Sequence, residues 1–384
     1  MNILFLPVSA GGGHEKAAEA VKERIDLKYP SSRTLIVDAL KYISPLVDKL
    51  IIGSYINTIK NTPNIYGKLY RLSASDSNII SISKTISKAL SRKLQGLINN
   101  FNPSAIVCTH PLTLQMASCL KKKNCVFCPV IAVITDFTDH MFWKQDFVDA
   151  YVVGHEYVKE KMIGMGIDPN IIYNLGIPVS MAFLERKNRK KLLGKLGLED
   201  CTTALIMGGS LGFGEMHTAF QMLQKSRKVS QIIAITGKNQ KLKAQLENHA
   251  QDTDKNVRIL GYTNLVADYM EVSDFIITKP GGLTISEALI KELPIFLMSP
   301  IPGQEEKNEQ FLVNSGAAVR ITPEDNIDSI LRQTVENPLR LRHMKEMSRF
   351  LAKPQAGEDI VLLLEELIYQ NMRNTVKARQ LNSN

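Results

Sequence analysis

The chain has 384 residues, too many for one ordinary core, so about two domains are expected. Its composition, 44% hydrophobic and 22% charged, is that of a soluble globular protein, and no uninterrupted run of about 18 apolar residues exists to serve as a transmembrane helix. The formal net charge of +9 favours phosphate-bearing partners, whether nucleotide, anionic lipid or nucleic acid.

The first element is an apolar strand, NILFLPV, which runs through SAGGGH into a helical pattern, EKAAEAVKERI. The apolar start is too short, and meets glycine too soon, to read as a secretory signal. The glycine turn fits neither G-x-G-x-x-G nor G-x-x-x-x-G-K-[ST]. It is therefore expected to let a ligand approach the backbone at a helix start. His14 falls at that start, where the helix dipole disfavours imidazolium and leaves a neutral ring able to accept a proton. A surface histidine on a plain βα turn would look the same.

A second strand, RTLIVDA, is followed by a segment from 44 to 98 that fits no βα unit. It is helical in tendency and interleaves Leu, Ile and Tyr with cations. Between Lys41 and Asn100 there are nine Lys or Arg against Asp48 and Asp76, a net +7. Apolar groups to insert and cations to meet headgroups define an interfacial segment. Packing on the domain with a solvated basic face is the alternative. RNA binding is not expected, since no Lys/Arg-aromatic recognition motif accompanies the charge.

Strands are expected next at AIVCTH, VIAVITDF, AYVVGH and IYNLGIP, with PLTLQMASCLKKK as a helix between the first two. The five cysteines are sparse and odd in number, as for reduced thiols. Cys125 and Cys128 form a C-x-x-C with no second half for a metal site, so they are expected to be structural. After LERKNRKKLLGKLGLED, polar and broken by Gly194 and Gly197, the series restarts: TALIMGGS, QIIAITG, NVRILGY, DFIITKPGG, PIFLMSP and AAVRI. Alternating strands and helices of this kind predict parallel α/β architecture. The expected division is an N-terminal domain over 1–180, a hinge over 181–200, a second domain over 201–352, and closing helices over 353–384 that pack back on the first domain and end in a frayed tail. Two doubly wound domains facing each other would hold a ligand in their central cleft.

In the second series three strand ends are punctuated by glycine: Gly208, Gly209 and Ser210; Gly237, Lys238 and Asn239; and Lys279, Pro280, Gly281, Gly282, Leu283 and Thr284 ahead of a helix. The last would aim backbone N–H groups and the Thr284 hydroxyl at an anion. Glu287, three residues on, could reach a ribose hydroxyl pair. Together the loops predict a nucleotide diphosphate site. The one D-x-D triplet, in QDTDKN, lies in a polar loop, so no metal is expected there.

The stretch KPGGLTISEALIKELPIFLMSPIPGQEEKNEQFLVNSGAAV resembles the donor-binding region of GT-B glycosyltransferases of the monogalactosyldiacylglycerol synthase and processive diacylglycerol glucosyltransferase group, family 28-like. PVSAGGGHEKAAEAV is similar to that group's G-x-G-H loop. VITDFTDHMFWKQDFVDAYVVGHEYVKEKM is similar to its T-D-x-x-x-H-x-x-W segment, and GSYINTIKNTPNIYGKLYRLSA to its N-terminal excursion. The likeness runs in order from Asn2 to Ile321. The lipid II N-acetylglucosaminyltransferase is a more distant likeness.

The resemblance implies a GT-B fold, an inverting, metal-independent hexosyltransferase with no cofactor beyond its UDP-sugar donor (UDP-glucose or UDP-galactose), and a lipid acceptor, diacylglycerol or glycosyl-diacylglycerol. It implies donor contacts at Gly209, Ser210, Gly237, Lys238, Asn239, Tyr262, Lys279, Gly281, Gly282, Leu283, Thr284, Glu287, Gln304, Glu305 and Asn308. On the acceptor side it implies Gly12, Gly13, His140 and Trp143, with His14 or Asp136 as base and the other as orienter. An anionic membrane surface is the expected partner, which places the protein in the cytoplasm, peripheral on the membrane's cytoplasmic face. A polyprenyl-linked or soluble acceptor is the competing enzymatic reading. A non-catalytic nucleotide-sugar-binding protein is the competing class, and it would have no use for His14 and Asp136.

Overall fold

A computed structural model describes residues 1–9, 11–62, 65, 67–68, 70, 72, 77–212 and 214–381. Part of the expected interfacial segment therefore lies outside the described residues. The chain divides into two compact units, one made of residues 1–10, 14–180 and 353–384, the other of 11–13 and 181–352.

All twelve strands read from the sequence form. In the first unit β1 (Asn2–Leu6), β2 (Arg33–Ile36), β3 (Ala105–Cys108), β4 (Val130–Val133), β5 (Ala150–Val152) and β6 (Ile172–Tyr173) make a parallel sheet in the order β2-β1-β3-β4-β5-β6. Alternate residues of β1 enter different cores: Leu4 and Leu6 join one face, Ile3 and Phe5 the other. Burial on both faces is why these strands read as unbroken apolar runs. Helix α1 (Gly13–Lys28) covers one face with Ala18, Val21 and Ile25. The long final helix, Ala356–Leu381, adds Ile360, Val361, Leu363 and Leu364 to that same core.

The helical excursion contains α2 (Ala39–Ile43), α3 (Pro45–Asn61) and α4 (Ser77–Phe101). Leu94, Ile98 and Phe101 of α4 are core residues, and Ser87 donates to Gln115 Oε1 at 2.8 Å on α5 (Pro111–Lys122). Its end thus packs on the domain. Its beginning is anchored by Leu40, Ile43 and Val47 on the same core, while Leu46 and Leu50 on α3 stay 80% and 72% exposed.

The second unit holds β7 (Thr203–Met207), β8 (Gln231–Ile235), β9 (Asn256–Leu260), β10 (Phe275–Thr278), β11 (Ile295–Leu297) and β12 (Ala318–Arg320), all parallel, in the order β12-β11-β10-β7-β8-β9. Counted from β7, this is the dinucleotide-fold order 3-2-1-4-5-6 read from the other edge. In such sheets ligands bind beyond the carboxyl ends of the strands where the order reverses. Those strands are β1 and β3 in the first unit, and β7 and β10 in the second.

Candidate active site

The switch point of the first unit is occupied by histidines. His14 follows β1 at the start of α1, and His110 follows β3 as the N-cap of α5, its Nδ1 accepting the Leu112 N–H at 3.1 Å. The rings meet edge to face with centroids 4.8 Å apart. Thr109 donates its hydroxyl to the His14 carbonyl at 3.0 Å, and Thr135, at the end of β4, lies 3.0 Å from His14 Nδ1 through its Oγ1. Burial pushes the His14 ring down to about 4. His110 falls well below the ordinary histidine value, through burial and then its neighbour His14. His14 keeps some exposed surface. Both rings are neutral at pH 7.

Gly12, with φ +83°, and Gly13, the first residue of α1, bring the backbone to this point without side chains. Asp136 is half-buried and directly follows Thr135. The resemblance implies His14 or Asp136 as base and the other as orienter; the contact on His14 Nδ1 comes from Thr135, the residue before Asp136. Neither Thr135 nor His110 was named from sequence. The signal for His110 was the proline of THPLT, which marks the first helical position and so makes the residue before it the N-cap.

Trp143 is 5% exposed within the core of the first unit and supports the loop from inside. His140, 8% exposed, caps the short turn Met141–Trp143 by accepting the Phe142 N–H at 3.1 Å, and its ring packs against Tyr70 and Phe142. Its Nδ1 is spent on structure. Cys108 and Cys128 are buried free thiols pushed up to about 12 and about 11 by desolvation, inert as nucleophiles or redox groups.

In the second unit, Gly209 (φ +70°) follows β7 and Gly237 (φ +59°) follows β8. Their loops are stitched together: Lys238 N–H donates to the Ser210 carbonyl at 2.9 Å, and Asn239 Nδ2 to the Gly212 carbonyl at 3.2 Å. Asn239 Oδ1 also caps the next helix by accepting Leu242 N–H at 3.0 Å. Lys238 and Tyr262 are exposed, Tyr262 by 50%.

Across the switch point, β10 leads through Lys279 and Pro280 to Gly281, the N-cap of the helix Gly282–Ile290. The Lys279 chain lies between the two loops: a Cβ on Gly209 would sit 3.4 Å from its Cε, and one on Gly281 3.6 Å from its Nζ. A glycine-opened helix N-terminus favours anions, and the Lys279 ammonium beside it is paired with Glu305. Leu283, Thr284 and Glu287 are half-buried on the first two turns of that helix.

Glu305 and Asn308 sit differently from the sequence expectation. Glu305, 3% exposed, pairs with Lys279 Nζ and accepts the Ile301 N–H at 2.9 Å. Asn308, fully buried, donates to the Pro280 carbonyl at 3.0 Å. They brace the 279–281 turn against the helix Gln304–Asn314. Gln304, one residue earlier, remains half-buried at that helix's first position.

Two parallel six-stranded sheets, with glycine loops at their switch points, give the protein the GT-B fold, and the match to a glycosyltransferase family 28 C-terminal domain makes it a glycosyltransferase. Solved structures of that fold cover nearly the whole chain: MurG of Acinetobacter baumannii at 15% identity and TM-score 0.58, covering 95% of this chain and 99% of that one; and Alr3699/HepE of Anabaena, in complex with UDP, at 12% identity and TM-score 0.58, covering 95% and 100%. The chain belongs to the monogalactosyldiacylglycerol synthase and processive diacylglycerol glucosyltransferase group. Residues 14–179 match the family model of monogalactosyldiacylglycerol (MGDG) synthase, and residues 203–360 that of the glycosyltransferase family 28 C-terminal domain. Processive diacylglycerol beta-glucosyltransferases of Bacillus licheniformis and Bacillus pumilus are 27% and 28% identical over 386 and 388 residues, covering 98% of both chains and 99% and 98% respectively.

Proposed function

We propose that this chain transfers a hexose from a UDP-sugar to diacylglycerol or glycosyl-diacylglycerol, with inversion at the anomeric carbon. The observation that carries the reading is the nearly end-to-end match to processive diacylglycerol beta-glucosyltransferases. A β-linked product from an α-linked nucleotide sugar requires inversion. UDP-glucose is the first donor to try; Alr3699/HepE was also solved with UDP-glucose bound.

The residues fit the step. With its proton on Nδ1 and donated to Thr135 Oγ1, His14 keeps an Nε2 lone pair for the acceptor hydroxyl proton. The acceptor oxygen then forms its bond to C1 as the bond from C1 to the UDP oxygen breaks. The departing charge falls to the N–H groups at the start of Gly282–Ile290, the Thr284 hydroxyl and Lys279. The transition state has oxocarbenium character, as in glycoside hydrolysis. Asp136 serves the developing imidazolium, and Glu287 the ribose.

The test is incubation with UDP-glucose, UDP-galactose or UDP-N-acetylglucosamine against diacylglycerol in detergent. UDP release with a new glycolipid is expected from a hexose donor. Transfer only to a polyprenyl phosphate or a soluble alcohol would replace the lipid reading.

Membrane contact belongs to the same proposal. No helix among the described residues is long and apolar enough to cross a membrane. Leu46, Leu50 and Ile86 are nonetheless exposed, and so are Lys88 and Arg92, which suits a peripheral contact. The purified chain is expected to pellet with anionic vesicles at low salt and to be released as ionic strength rises. Equal recovery in the supernatant with and without vesicles at low salt would remove this part of the reading.

A further inference from the structure

The second unit carries a histidine pair that sugar transfer does not use. His217, the second residue of the helix Met216–Lys225, and His249, the last of the helix Gln240–His249, bring their Nε2 atoms within 3.4 Å, with ring planes at 84°. His249 Nδ1 lies 2.8 Å from the Gln245 carbonyl. That carbonyl can only accept, so Nδ1 carries the proton and Nε2 carries the lone pair. His217 lies opposite it. A backbone carbonyl fixing the far nitrogen of the ring is the usual support of a metal-ligating imidazole.

The spacing fits as well. Two nitrogens about 2.0–2.1 Å from a tetrahedral ion are about 3.3–3.4 Å apart, which is the separation seen here. Both residues are half-buried, so solvent reaches them. The helix ends are also held in register by Gln224 Nε2, which donates to the His249 carbonyl at 2.7 Å.

We infer that His217 and His249 form a two-histidine site for a divalent first-row transition ion, Zn²⁺ or its neighbours Ni²⁺ and Cu²⁺. Two imidazole nitrogens select these ions over Mg²⁺ or Ca²⁺, which take oxygen ligands. No third His, Cys, Asp or Glu completes a metal cluster among the described residues, so water fills the remaining positions and the ion exchanges. Without metal, His217 Nε2–H donates to His249 Nε2. On binding, the His217 proton moves to Nδ1 and both Nε2 lone pairs face the ion. The two helices follow the loops that carry Gly209 and Ser210 and Gly237 to Asn239. An ion held between them therefore cross-links the supports of the donor loops while standing outside the reaction.

The test uses the full chain without an affinity tag, titrated with ZnCl₂ and separately with NiCl₂ by calorimetry, alongside thermal unfolding. One ion per chain and a rise in unfolding temperature are expected. His217→Ala and His249→Ala should each weaken binding by at least about tenfold and abolish the rise. Both variants should transfer sugar normally in metal-free buffer, so the outcome is independent of the acceptor and donor assignments. No uptake by the wild type overturns the inference. So does uptake that survives in both variants, which would assign the ion to another of the seven histidines.

Discussion

Replacing His14 by alanine is expected to lower the turnover number by about 10²–10⁴-fold, the range a positioned general base contributes, while KM for the UDP-sugar changes little. His14→Ala removes the one neutral imidazole that stands at the first unit's switch point with a hydroxyl on its Nδ1. Thr135→Val keeps the ring but removes that hydroxyl. A net hydrogen bond of about 0.5–1.5 kcal/mol translates into a smaller loss, about 2–10-fold.

The pH profile separates this assignment from a purely structural histidine. Burial lowers His14 to about 4 from the ordinary 6.5, so the acid limb of kcat/KM is expected near pH 4 to 5. Stability has the same sign. The unfolded chain takes its proton near 6.5 and the folded chain only near 4. The stabilising contribution is whole above 6.5 and falls away as pH drops toward 4. His110, also lowered by burial, adds to that loss. Circular dichroism at each pH distinguishes loss of fold from loss of base. A His14→Ala enzyme within threefold of wild type, or an acid limb at 6.5 in a folded protein, would remove His14 from the mechanism.

Gly237→Ala is expected to be the most damaging small change in the second unit. At φ +59° an L side chain is strained, and its Cβ would stand 2.4 Å from the Ser210 carbonyl oxygen and 2.8 Å from that of Gly209. Those atoms are backbone and cannot swing aside. The left-handed conformation costs about 1–2 kcal/mol, and overpacking about 1–3 kcal/mol more. Relief of the clash must push the Gly209–Ser210 loop from its place and lengthen the bond from Lys238 N–H to the Ser210 carbonyl. The unfolding midpoint should drop, and KM for the UDP-sugar should rise more than kcat falls. Gly212→Ala should behave alike, since its Cβ would meet the Thr236 carbonyl at 2.3 Å. If Gly237→Ala bound UDP as tightly and unfolded at the same temperature as wild type, the two loops would not form one donor-binding element.

The glycine loops were legible in the sequence because their function is carried by local backbone. A positive φ or a helix start needs glycine in place, and GGGH and KPGGLT announce it. Which side chain meets which was not legible. Thr135 stands 121 residues from His14, and only the placing of β4 beyond β3 brings them together. The pattern around Asp136, His140 and Trp143 does not say which side chains turn inward. Trp143 belongs to the core, and the His140 nitrogen is spent on a helix cap. Glu305 and Asn308 show the same limit on the donor side: their polar atoms hold the loop itself.

By itself the sequence determined the twelve strands, their restart after residue 200 and the parallel α/β class. A strand buried on both faces must be apolar throughout, and an amphipathic helix must keep its period, so each element carries its own signature. Only the tertiary structure decided the strand orders β2-β1-β3-β4-β5-β6 and β12-β11-β10-β7-β8-β9. Order is a matter of which edges pair across long connections, and no local pattern encodes it. The two switch points follow from that order. They turn GGGH, THPLT, MGGS and KPGGLT from four separate turns into two pairs of loops, one pair at the end of each sheet.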